Sequence, residues 1–351
     1  MPFDTVVLKT IEYLKIPSVV GHEEFFLDYL KQDFEKLGLT ITQHDGLLEI
    51  SGSKPYSNII TAHADRHGLI SLGNDRYAYA AQIIKQQKYD TSSKYTENTL
   101  QAIQERFIGE DVLAYCPKTG HIIDNGTIMG TETDEDTGQS YFTIDDMAIE
   151  NPDIPIAYSR NAETRGDLLR GQIDNVVSLG IIYVLFQNGF LGTALLTCEE
   201  EIGKSWTYMK EWFENKDIKT KNLFVLDTSP YREKTPIQEN MVVLRNRDKS
   251  GIFHADMIQE IKRRCTKLNL NYQMKDEYFL AQGLEIKDLG STELGRLVLE
   301  TSGEWNGATL QIPTTEYHTS YETTSRGCIE SFYRLLSDLL IENPLRTNRT
   351  T

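Results

Sequence analysis

Over its first fifteen residues the chain spaces Phe3, Val7, Ile11 and Leu14 on one helical face, and Leu27, Leu30, Phe34 and Leu37 repeat that spacing after Glu23. Gly38 stops this second predicted helix. Short strands around Ile41 and over Leu47-Ile50 flank His44-Asp45-Gly46, a turn signal. Asn58-Ile-Ile-Thr-Ala62 is apolar on both faces, the pattern of an inner strand covered by helices. From His67 to about Arg165 the texture changes to polar residues rich in Tyr, Thr, Asp and Gly, with short alternating runs such as Tyr141-Phe-Thr-Ile144. That stretch predicts a mostly β insertion with one helix, Asn98 to Phe107.

An α/β rhythm then resumes. Asp174 to Gln187 reads as a strongly apolar helix, Thr193-Ala-Leu-Leu-Thr197 and Asn222-Leu-Phe-Val-Leu226 as buried strands, and Tyr208-Phe213 as part of an amphipathic helix between them. A strand at Met241-Leu244, a helix from His254 to Leu268, a strand near Leu270-Tyr272 and a helix around Ser291-Leu299 follow. A strand at Thr309-Ile312 and a helix from about Thr324 to Ile341 close the chain. The fold class expected is α/β, a mixed, largely parallel sheet flanked by helices, with a small inserted β-rich domain. Residues 1–66 and 166–351 would form the main unit and 67–165 the insertion.

A length of 351 residues suits two domains, or one large domain with an insertion. The net charge of -16 leaves no basic stripe for nucleic acid and disfavours docking on anionic lipid. No apolar stretch is long enough to span a bilayer. Met1 to Lys15 lacks the charged start and apolar block of a signal peptide, and Cys116, Cys198, Cys265 and Cys328 are widely spaced. This reads as a cytoplasmic protein with reduced thiols.

Five short segments carry the chemistry: Thr61-Ala-His63-Ala-Asp65, Gly171-Gln-Ile-Asp174-Asn175, Cys198-Glu199-Glu200-Glu201-Ile-Gly203, Leu226-Asp227-Thr228 and Thr315-Glu-Tyr-His318. Loops at the carboxyl ends of strands in an open α/β sheet converge on one edge, so residues distant in sequence can meet there. His63 and His318 would give one nitrogen to each of two divalent ions, Asp174 would bridge them, and Glu201 and Asp227 would complete one ligand set each. Paired ions about 3.5–4 Å apart hold a water and a scissile carbonyl together. Glu200 would then be the general base, and Asp65 would accept the second N–H of His63. Taken singly each residue has a plainer reading: Asp174 as a helix cap, Asp227 as a turn residue, the Glu triplet as a solvated helix start, His63 as a core histidine. His67 lies near enough to contact substrate, but a surface-loop role suits it better.

These motifs resemble the tetrahedral (TET) or deblocking aminopeptidases, also known under glutamyl aminopeptidase and endoglucanase names. The resemblance rests on Pro17-Ser18-Val-Val-Gly21-His-Glu23, His63-Ala64-Asp65 with Gly68, Arg170-Gly171-Gln-Ile-Asp174-Asn175, Glu200-Glu201-Ile202-Gly203, Asp227, and Pro313-Thr-Thr-Glu-Tyr317-His318 with Glu322. It implies a dinuclear metallo-aminopeptidase that takes N-terminal residues from peptides, using two ions, zinc foremost, with cobalt or manganese as alternatives. It also implies a dimerisation role for the insertion, a homo-oligomer that is a dimer or a hollow dodecamer, and a cis peptide at Asp174-Asn175. The chain departs from the family pattern at Val176, at Lys204-Ser-Trp206 and at Thr292-Glu293. Rival readings are an N-acyl amino acid deacylase or carboxypeptidase of the same two-metal architecture, and a non-catalytic scaffold that keeps metal for stability. The insertion directly after Asp65 disfavours the first, and retention of Glu200 the second.

Overall fold

The computed structural model describes residues 2–89, 97–133, 140–216, 218 and 222–345. The opening helix, Pro2–Leu14, buries Val6, Val7, Thr10 and Tyr13, and a second, Glu24–Glu35, buries Phe26, Leu27, Leu30 and Phe34. The hairpin follows as β1 (Thr40–His44) and β2 (Leu47–Ser51), and β3 (Ile59–His63) is buried throughout.

The chain then leaves for the insertion: β4 (Leu69–Gly73), β5 (Arg76–Tyr79), β6 (Asp111–Tyr115), β7 (Ile122–Thr133), β8 (Ser140–Asp145) and β9 (Pro152–Tyr158). They close into an antiparallel barrel in the order β4-β5-β8-β7-β6-β9. The expected helix is present as Glu97–Phe107, and a helix the sequence reading lacked, Ala80–Tyr89, precedes it. Its buried residues, Ala80, Ala81, Ile83 and Ile84, occupy only its first half, so no full period marks it. Phe107 stacks on Tyr158, ring centroids 4.9 Å apart, and Tyr77, Ile128, Phe142 and Ile156 share this core with Val19, Val20 and Ile202 of the main unit.

On return, β10 (Glu163–Arg165) and β11 (Leu168–Gly171) form a small sheet that a late strand completes. The helix Val176–Gln187 is apolar on every side and buried up to Phe186, as a helix sandwiched between layers must be. Thereafter come β12 (Thr193–Thr197), β13 (Leu223–Pro230), β14 (Val242–Leu244), β15 (Tyr272–Met274), β16 (Gly307–Thr314) and β17 (Glu322–Ser325). The main sheet runs β1-β2-β12-β3-β13-β16-β14-β15, with β12, β3, β13 and β16 mutually parallel at its centre. The expected mixed, largely parallel sheet with a β-rich insertion is what the chain forms.

Two differences affect the site. β13 runs on to Pro230, which puts Asp227 inside a strand rather than at its end. Residues 324 and 325, expected to begin the last helix, belong to β17, and the helix starts at Arg326.

The β13–β16 pair is unusually close at its start. A Cβ built at Gly307 would sit 1.9 Å from the Leu223 carbonyl oxygen, its direct partner in register. Gly307→Ala is therefore expected to lower stability by about 1–3 kcal/mol, as overpacking does. A fall in the urea midpoint with an unchanged slope is the readout, and an unchanged midpoint would contradict this account.

Candidate metal centre

The parallel centre of the sheet delivers side chains to one edge. His63 is the last residue of β3, and the loop after it carries Asp65 and His67. The β12 strand ends at Thr197 and turns through Glu199, whose φ of 64° lies in the left-handed region. That strained turn, of a kind that costs about 1–3 kcal/mol, is held by its own side chain. The Glu199 carboxylate accepts from Lys88, from the Tyr89 hydroxyl at 2.5 Å and from the Tyr208 hydroxyl at 2.8 Å. The turn aims the Glu200 and Glu201 backbone N–H groups at the Asp65 carboxylate, at 3.1 and 3.0 Å.

Asp174 lies between two histidines. Its Oδ1 is 3.3 Å from His63 Nε2 and its Oδ2 3.5 Å from His318 Nε2. Asp227 Oδ1 is 3.6 Å from His63 Nε2, and Glu201 Oε2 is 3.7 Å from His318 Nε2. The five residues read from sequence as ligands, His63, Asp174, Glu201, Asp227 and His318, thus fall in one cluster. Glu322 anchors two of them, accepting the Asp174 backbone N–H at 2.9 Å and the His318 backbone N–H. The peptide bond Asp174-Asn175 is cis.

Asp65 acts differently from the sequence reading. The second nitrogen of His63, Nδ1, donates to the Asp65 backbone carbonyl at 3.0 Å, while the Asp65 carboxylate is 3.7 Å away and occupied by Glu200 and Glu201. The tautomer is fixed as required, with Nε2 facing the cluster, but by main chain.

His67 is the residue that sequence reasoning underrated. It is buried, not a surface-loop residue, and its Nε2 lies 2.7 Å from Glu201 Oε2. No regular spacing to another histidine marks it. Its burial comes from the insertion, where Tyr79 covers the ring.

Burial pushes the Asp65 and Glu201 carboxyls up to about 7, and raises Glu200 and Glu322 well above the usual carboxylate range. Burial also drives His67 down to about 3. For Asp174, burial opposes ionisation, but the neighbouring His318 and His63 rings outweigh it and hold the carboxyl low. His63 is the mirror case, with burial overcome by Asp174 and Asp227 so that it sits well above an ordinary imidazole.

Asp174 Oδ1, Glu201 Oε1, His67 Nε2 and His318 Nε2 are all buried without a hydrogen-bond partner among the described residues. Buried acceptors and imidazole nitrogens left so in one cluster fit a divalent cation, which prefers this nitrogen and carboxylate set. His63, Asp174 and Glu201 offer ligand atoms within 4.8 Å of one another, as do His67, Glu201 and His318. One contact runs against the fit. Arg106 lies 3.3 Å from His318 Nδ1 and can only donate there, so an ion on Nε2 requires this arginine to withdraw.

The sequence profile of the M42 glutamyl aminopeptidase family matches residues 145–335, more than half of the 351. The chain belongs to this family. M42 proteins are metal-dependent, in keeping with the orphaned donor set. An aminopeptidase from the archaeon Desulfurococcus kamchatkensis superposes with a TM-score of 0.72 at 14% identity, covering 97% of this chain and 95% of that one. A TET aminopeptidase from a marine sediment archaeon of the Thaumarchaeota gives 0.71 at 14%, covering 97% and 96%. The TET1 peptidase of Pyrococcus horikoshii, described as assembling into a tetrahedron or a large octahedral shell, gives 0.68 at 15%, covering 96% and 99%. These three structures share the fold over 96–97% of this chain. No curated protein sequence matches it.

A cavity of about 340 Å³ opens on the loop that carries His318, lined in part by Arg170, Lys234, Thr315, Glu316, Tyr321 and Thr323. No helix among the described residues is long and apolar enough to cross a membrane.

Proposed function

We propose that this protein is a dinuclear metallo-aminopeptidase that removes N-terminal residues from peptides. The observation that carries the reading is the Asp174 carboxylate, set with one oxygen toward His63 and the other toward His318. That is the disposition a bridging ligand needs, and it joins two half-sites. His63 and Asp227 would hold one ion with Asp174, and Glu201 and His318 the other. Zinc is the first choice and cobalt or manganese the alternatives. When bound, such ions polarise a scissile carbonyl and acidify a water.

The chain's own residues would do the proton work. Glu200 would take the proton from the attacking water and deliver it to the departing amine. Its carboxylate is 3.5 Å from Arg296, which favours the charged, basic form against the burial that opposes it. Asp65, through its two backbone acceptor contacts, fixes Glu200 and Glu201 side by side, so base and ligand keep separate directions.

The catalytic unit is assigned to residues 1–66 and 166–351, and the barrel of 67–165 to dimerisation. Ile122, Ile123 and Met129 stand exposed on β7 and suit a subunit contact. Unpaired cysteines fit a cytoplasmic setting.

The test is a mass-spectrometric digest of matched peptides, free or acylated at the N-terminus, with zinc or cobalt present. Stepwise shortening of the free-amine peptides alone is the expected result. Release of only the acyl group would replace this reading with a deacylase. Failure to turn over either set, in protein shown to carry both ions, would leave a metal-stabilised scaffold.

A further inference from the structure

We infer that His67 is a third imidazole ligand of the centre, giving the ion held by Glu201 and His318 a second nitrogen. The inference rests on the two-metal reading above and assigns a ligand beyond the five that it uses.

The geometry is specific. His67 is 5% exposed, and its Nε2 is 2.7 Å from Glu201 Oε2 with no hydrogen bond joining them. Its ring centroid is 3.9 Å from that of His318, whose Nε2 is likewise unpartnered. Two buried imidazole nitrogens crowding one carboxylate are poorly compensated by protein alone, and a divalent cation at their focus satisfies all three groups.

The ring is also held as a ligand should be. Nδ1 lies 2.5 Å from the Tyr79 hydroxyl, which can accept its hydrogen and leave the Nε2 lone pair free. Tyr79 stacks on the ring with centroids 5.6 Å apart. The His67 backbone carbonyl accepts from Gln172 at 2.7 Å, which ties this loop to the segment leading into Asp174. Each of the ring's two nitrogens therefore has a defined task.

The two half-sites then differ in chemistry. One offers His63, Asp227 and the shared Asp174, and the other offers His67, His318, Glu201 and the shared Asp174. A second imidazole favours zinc, cobalt or nickel over manganese and magnesium. The half-site containing His67 is the tighter one for zinc and fills first.

The experiment is a competitive zinc titration of the full-length chain stripped of metal, alongside X-ray absorption of the zinc-loaded protein to count imidazoles. The unmodified chain is expected to show two affinities, and three imidazoles shared between two ions. His67→Ala is expected to weaken the tighter affinity by at least about 10–100-fold, the loss already caused by disturbing a ligand's support, and to drop the count to two. Tyr79→Phe keeps the ring and should give a smaller loss of the same affinity. The imidazole count in the unmodified chain decides the matter even if His67→Ala fails to fold. Two ions bound with only two imidazoles, or a folded His67→Ala with both affinities unchanged, would overturn the inference and leave His67 as a buried neighbour of Glu201. A chain that binds no zinc overturns both the inference and the two-metal reading.

Discussion

Glu200→Gln is expected to lower kcat by about 10²–10⁴-fold, the usual contribution of a positioned general base, while both ions stay bound. The substitution keeps the side chain's size and its place beside Arg296, which lies 3.5 Å from Oε1, and removes only the capacity to take a proton. Asp65 continues to hold the backbone of residues 200 and 201, so Glu201 is not displaced. Metal content by mass spectrometry and steady-state kinetics on one peptide together read the effect. Near-normal turnover would remove Glu200 from the mechanism. Equal loss of metal and activity would make it a structural residue.

The second large effect belongs to Glu322, whose hydrogen bonds hold the backbone of two candidate ligands. It is completely buried, and its two oxygens accept the N–H groups of Asp174 and His318. Glu322→Ala leaves both donors buried and unpaired, at about 1–3 kcal/mol each. Chemical denaturation of the metal-free protein should show that loss directly. The same change lets Asp174 and His318 drift apart, and metal affinity should fall by about 10–100-fold, as it does when a ligand's support is removed. Glu322→Gln, which keeps one acceptor oxygen, should recover part of both. If the metal-free stability of Glu322→Ala matched that of the unmodified chain, the clamp would be fictitious.

The residues that could be read from sequence were those whose surroundings repeat a simple rule. Residues 59–62 and 193–197 are buried on both faces, so unbroken apolar runs mark them, and each is followed at once by polar chemistry. That rule marked His63, Glu201, Asp227 and His318 as candidate ligands, and Asp174 stood out where the apolar helix begins. The misses had non-local causes. Thr324 and Ser325 look like a helix start, but pairing with Leu169 and Leu168, far upstream, draws them into a strand. His67 looks like surface because its neighbours in sequence are polar, and its cover arrives from Tyr79 across a strand pair. Similarly, Asp65 could be placed beside His63 but not oriented, because the turn at Glu199 that fills its carboxylate depends on Lys88 and Tyr89 of the insertion.

The candidate ligands appear along the chain in an order that bears on biosynthesis. The first, His63, is at the end of β3, and the last, His318, lies beyond β16, with the whole barrel between the first and Asp174. A growing chain therefore has no complete centre until His318 has left the ribosome. Metal capture would come late in folding, because the candidate ligands His63 and His318 stand far apart along the chain. If the chain cuts peptides as proposed, assembly in that order keeps it inert while it is being made, and a copy ended before His318 never completes the centre.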